Sequence, residues 1–233
     1  MEKISIKAAL RLSILIIVFG WIGTLIINIF FYKQIQHILI NTTAHFIVFI
    51  FLYGMLTIFV FSFLLYLSNE KYKDIGFHKK AILKQVSFGT AFGLLIFVLQ
   101  SIIVSPIIYA LLPKGLPEGI ENDGLFENIH YLPFWIFIAV FFGPFVEEFS
   151  RIFMLTRFEK CFGKFGLLLA VIIGSIVFGI GHFYEGFGSI ISIGIGGTLF
   201  ALIYLRKRLA LEPIVAHATF NLVGIIIGAI MHC

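Results

Sequence analysis

Glu147, Glu148 and Arg151 lie inside FGPFVEEFSRIF, residues 142–153, a stretch that is otherwise apolar. Further along, Phe178 and His182 bracket FGIGH, and His217 and Asn221 bracket HATFN. On a helix Glu147 and Arg151 are four residues apart and Glu148 and Arg151 three, so one guanidinium can neutralise one acid and share hydrogen bonds with the other. His217 and Asn221 share a helix face, as do Phe178 and His182. An ionised residue at the centre of a bilayer costs roughly 2.5–3.5 kcal/mol, so these three groups would cost on the order of 8–10 kcal/mol unpaired. A structural ion pair needs one acid; the spare one has no local partner and should be protonated or bonded to another helix. Two imidazoles, an amide and a spare carboxylate are the parts for activating water: a general base, a proton carrier and an oxyanion ligand. They are equally the parts of a proton relay in a proton-coupled transporter or channel.

The elements that must position these groups are membrane helices. The chain of 233 residues is 60% hydrophobic and 12% charged, with 29 phenylalanines, too little polar surface to cover a soluble domain. Its apolar runs are long and continuous, which selects helices over a barrel. The runs predict an all-α polytopic transmembrane bundle of about seven helices, at 8–32, 43–67, 86–112, 131–156, 165–184, 187–205 and 212–231. The first run lacks a small-residue cleavage site and reads as a retained helix. Fourteen basic residues fall at one set of alternate loops against two, Lys33 and Lys114, at the other. That asymmetry predicts a cytoplasmic N-terminus and a multi-pass protein of a bacterial-type plasma membrane. Because the cations are spread over four membrane-edge loops, the expected partners are the lipid bilayer and no nucleic acid. Cys161 and Cys233 fall on opposite sides of this topology, so no disulfide joins them, and neither has metal-site spacing.

Residues 129–233 hold nearly all the ionisable groups at membrane depth and read as the working core, with 1–128 as supporting helices. Asn28, Gln100 and His45 are the chief polar residues at membrane depth in the supporting half, and His45 reads as an interhelical hydrogen bond. Gly89 and Gly93, Gly188, Ser192 and Gly196, and Gly224 and Gly228 repeat every four residues and predict close helix contacts. The loop at 113–130, with two prolines and three glycines, should be irregular.

The ordered trio of PFVEE with a following arginine, FGIGHFYEG and EPIVAHATFNL, each on its own span, resembles the CAAX prenyl protease type II and bacteriocin-processing (CPBP) membrane endopeptidases over about residues 131–230. The resemblance implies hydrolysis of a peptide bond in a membrane-associated or prenylated-type peptide or protein substrate. It implies that Glu147 activates water with help from His182, that His217 and Asn221 hold the carbonyl oxygen, and that Glu148 and Arg151 shape and neutralise the site. Phe178, as the first residue of the family's FxxxH word, is placed against the substrate. Family members were first classed as metalloproteases, and Glu147, His182 and His217 would be the ligands of a divalent metal such as zinc. The direct base mechanism, favoured here, needs no cofactor. The family word is EExxxR, whereas this chain has EExxR, which turns Arg151 by about 100° around its helix and leaves a catalytically inactive scaffold or immunity-type member as an alternative. At about 1.5 Å per residue, His217 falls roughly 8 Å from the cytoplasmic end of its span and His182 roughly 26 Å from that end of its own. A common site then requires tilt, a late helix start or a broken helix near Gly179 and Gly181.

Overall fold

The computed structural model describes residues 5–30, 43–113 and 132–231. All but the first residue of the loop expected at 113–130, Cys233, and the side chains of Asn28 and His45 lie outside the described residues. Among the described residues the chain is helical with no strand, as lipid requires of a backbone that must satisfy its own hydrogen bonds. α1 is Ile6–Phe30 and α2 Thr43–Leu67. A single 3-10 turn, Tyr72–Ile75, leads to α3, Ile82–Leu111. α4 covers 132–162 and α5 164–181; α6 is Phe187–Lys207 and α7 Leu211–Met231.

Six described helical segments are long and apolar enough to cross a membrane, and one of them, Pro133–Gly181, has 49 residues. A straight helix of that length would be about 74 Å long, against a hydrocarbon core of about 30 Å. It is not straight. At Gly163 the backbone takes φ 62°, ψ −149°, a region open to glycine and costly for other residues. The chain folds back there: Arg151 lies 4.5 Å from the ring of Phe178, whereas a continuous helix would separate them by about 40 Å. The segment therefore supplies two helices, α4 and α5, and the described residues hold seven long apolar helices, the number expected.

Two of the helices widen just before a proline. The turns at Gln100–Val104 in α3 and Phe137–Phe142 in α4 have π geometry and precede Pro106 and Pro144. A proline ring collides with the carbonyl four residues back, and a wider turn relieves the collision. Both helices continue through the widening. In α3 the turn carries Gln100, which donates through Nε2 to the Ser192 carbonyl and accepts from the Ser192 hydroxyl, clasping α6 as an interhelical bond should.

The tight contacts are made by small residues. A Cβ at Gly93 would lie 2.4 Å from the Ala216 carbonyl oxygen and one at Gly89 2.7 Å from that of Glu212, so α3 and α7 touch backbone to backbone. A buried aromatic cluster around Phe149 and Phe153 joins α4 to α2, with Phe61 stacked on Phe153 at 4.4 Å. In lipid such rings gain packing and not transfer from water, so polar pairs carry much of the specificity.

One such pair lies past residue 156, where the sequence ends this span: α4 continues through Arg157, whose side chain is fully buried. Its guanidinium donates to both carboxylate oxygens of Glu70, which also receives Lys160. Burial works to raise the Glu70 carboxyl, but Arg157 and Lys160 outweigh it and hold it below the usual carboxylate range.

Two expectations follow from these features. Gly163→Ala meets no steric clash, so its loss of stability, about 1–3 kcal/mol from backbone strain, should appear as a lower melting temperature in detergent with the helix content kept. The depressed Glu70 carboxyl stabilises the fold above about pH 4.3, its unfolded value, and that contribution fades as pH falls through the folded one. Glu70→Gln should therefore melt lower than wild type near pH 7 and lose less on acidification, as followed by thermal unfolding at a series of pH values.

Candidate active site

α4 brings its acids to two different environments. Glu148 is fully buried and its Oε1 takes the Arg151 guanidinium, an i,i+3 pair on one helix. The same oxygen lies 2.9 Å from His217 Nδ1 on α7; a carboxylate accepts, so Nδ1 donates. Glu147, one residue earlier, has a side chain 35% exposed, and its Oε2 lies 3.5 Å from His217 Nε2. The imidazole thus stands between the two carboxylates, one sealed and one accessible. The spare acid is met by another helix, as the cost of leaving it alone requires.

Phe178 on α5 carries the next contacts. Its ring covers the Arg151 guanidinium carbon at 4.5 Å, meets His217 edge-on at 6.2 Å and meets His182 at 4.8 Å. His182 caps the end of α5, and its Nδ1 sits 2.9 Å from the Phe178 carbonyl oxygen, which can only accept. In the neutral ring this fixes the proton on Nδ1 and makes Nε2 the basic nitrogen. Asn221 is positioned by a different device. In the π turn of α4 the Gly143 N–H reaches back five residues to Ile138; the next donor in that register is residue 144, a proline with no N–H. Asn221 Nδ2 supplies the missing bond, donating to the Ala139 carbonyl at 2.7 Å.

The structure therefore gathers Glu147, Glu148, Arg151 and His217 into one network, with Phe178 joining His182 to it, and ties Asn221 to the adjoining turn. The short EExxR spacing does not part Arg151 from the acids: it is buried and paired with Glu148. The two histidines meet through Phe178, which contacts both, and α7 starts inside the protein, with Ala210, Glu212 and Pro213 buried. α5 runs regularly from 164 to 181 and is not broken near Gly179 and Gly181. Phe200, whose ring stacks on His217, and the Ala139 carbonyl carry no signal in an apolar stretch of sequence. The proline two residues after a run of phenylalanines does signal the widened turn. As metal ligands, Glu147, His182 and His217 do not fit: among the described residues no three His, Cys, Asp or Glu side chains are grouped to hold an ion.

A membrane bundle with acids, imidazoles and an amide gathered between its later helices is the class of protein this defines. Residues 129–223 match the family described as type II CAAX prenyl endopeptidase, Rce1-like, the same family that the three motifs resemble. What the match and the three motifs share is a likeness to a CAAX-type intramembrane protease family, over residues 129–223. No curated protein and no solved structure matches the chain.

Removing the guanidinium leaves a carboxylate buried without its cation. Arg151→Met should cost about 3–5 kcal/mol of stability, measured by thermal or denaturant unfolding in detergent, with Glu148→Gln in the same chain recovering much of the loss.

Proposed function

We propose that the chain is an endopeptidase that hydrolyses a peptide bond of a membrane-associated, prenylated-type substrate with water activated by Glu147. The observation that carries this reading is the His217 imidazole standing between the accessible Glu147 and the sealed Glu148. Glu147 is the acid a water molecule can reach, so it is the base: its carboxylate takes a proton as the water oxygen attacks the scissile carbonyl carbon. With Glu148 accepting from Nδ1, a second proton on Nε2 makes His217 an imidazolium. Two carboxylates, Arg151 and that imidazolium then sum to zero charge, which a low-dielectric interior favours. The Nε2–H, and the amide N–H that Asn221 does not spend on Ala139, supply donors for the developing oxyanion. The proton held by Glu147 passes to the leaving nitrogen as the C–N bond breaks. His182, with its basic Nε2, assists at the water.

Six described helical segments long and apolar enough to cross a membrane support a multi-pass protein in a bilayer. The distribution of loop cations supports a bacterial-type plasma membrane with the N-terminus in the cytoplasm.

Wild-type protein in lipid nanodiscs should release the C-terminal tripeptide from a quenched fluorescent peptide ending in an S-farnesylated Cys-a-a-X box. Glu147→Gln and His217→Gln should lower the rate by at least about 100-fold while inserting normally. Comparison of membrane proteomes with and without Glu147→Gln should reveal an uncut peptide. Full activity in either variant contradicts the assigned roles.

A further inference from the structure

We infer that Phe200 is a positioning residue: its ring face fixes the plane of the His217 imidazole and, with Phe178, walls in the Arg151 guanidinium. The inference rests on the hydrolytic reading above and adds to it a residue on α6, outside all three sequence motifs. Phe200 is 3% exposed and lies parallel to His217, with ring centroids 4.5 Å apart and planes inclined by 13°. Phe178 meets the same imidazole edge-on, at 85°. One ring therefore blocks rotation out of the plane, and the other closes an edge. In the plane that remains, Nδ1 points to Glu148 and Nε2 to Glu147.

The same two rings flank the cation. The Arg151 guanidinium carbon is 4.5 Å from the Phe178 centroid and 5.9 Å from that of Phe200. α6 is shaped for this. Gly197, three residues before Phe200, leaves a gap in which a Cβ would come within 2.9 Å of Phe178 Cδ1 and 3.5 Å of Arg151 Nη2. Behind, Phe200 is braced by Ile96, Ile203 and Ala216 and by the edge of Phe220 at 6.2 Å. A side chain that only filled volume would not need a flat face; one that holds an imidazole plane does.

The test compares Phe200→Leu, which keeps apolar bulk but has no face, with Phe200→Tyr, which keeps the face. It uses full-length protein in nanodiscs and the farnesylated quenched peptide. Phe200→Leu should lower kcat on the order of 100-fold with KM unchanged, and Phe200→Tyr should restore most of it. With histidine-labelled protein, the His217 ring protons, assigned through His217→Gln, should resonate upfield in wild type and Phe200→Tyr and lose that shift in Phe200→Leu. Wild-type kcat in Phe200→Leu beside an inactive Glu147→Gln overturns the inference and leaves the hydrolytic reading standing. Equal losses in both Phe200 variants, or a KM that rises with the fall in kcat, reduce Phe200 to packing and overturn it too. A wild type as inactive as Glu147→Gln overturns both proposals.

Discussion

Two carboxylates side by side in a membrane-embedded helix are a liability that the surrounding structure must answer, and the rest of the bundle can be understood from how it does so. Arg151 answers Glu148 from one turn away, at i+3 on the same helix. Nothing on α4 answers Glu147 in the same way, and the group that reaches it, His217, comes from α7 and bonds Glu148 with its other nitrogen. The requirement to bring α7 to α4 explains several features at once. α3 carries glycines where it meets α7, so that α7 can pack closely. α7 begins inside the protein, so that its second turn reaches the level of the acids. The chain reverses at Gly163, so that α5 returns Phe178 to the guanidinium.

Lipid makes these polar contacts more decisive than they would be in water. Apolar side chains such as Leu83 and Leu111 face outward at no cost, so burial of oil separates one helix arrangement from another only through packing. Unpaired polar groups are what lipid penalises. Pro144 removes a backbone donor and creates such a debt at the Ala139 carbonyl, which Asn221 settles. The bond fixes an amide beside the acids by means of a defect in the helix that carries them. Arg157 and Glu70 show the same logic away from the site, tying α4 to the turn after α2.

Most of the architecture was readable from residue order because its signals are local. Continuous apolar runs marked the spans, and the segment Pro133–Gly181 divides at Gly163 into the two that were expected. The words around Glu147, His182 and His217 pointed to one family, and residues 129–223 match it. What could not be read depended on partners distant in sequence. Arg157 looked like a loop cation until Glu70, 87 residues away, was seen beside it. Phe200 is one phenylalanine among 29, and nothing local distinguishes the one that lies on an imidazole.

The account turns on Glu148 and His217 acting as one unit, with the histidine ordered by the buried acid. A double-mutant cycle on unfolding in detergent, with Glu148→Gln, His217→Gln and the two combined, measures that directly. A coupling of about 1–3 kcal/mol is expected, the combined change costing well under the sum of the single ones. Additive losses would mean that the two side chains do not hold each other, and the site as described would not exist.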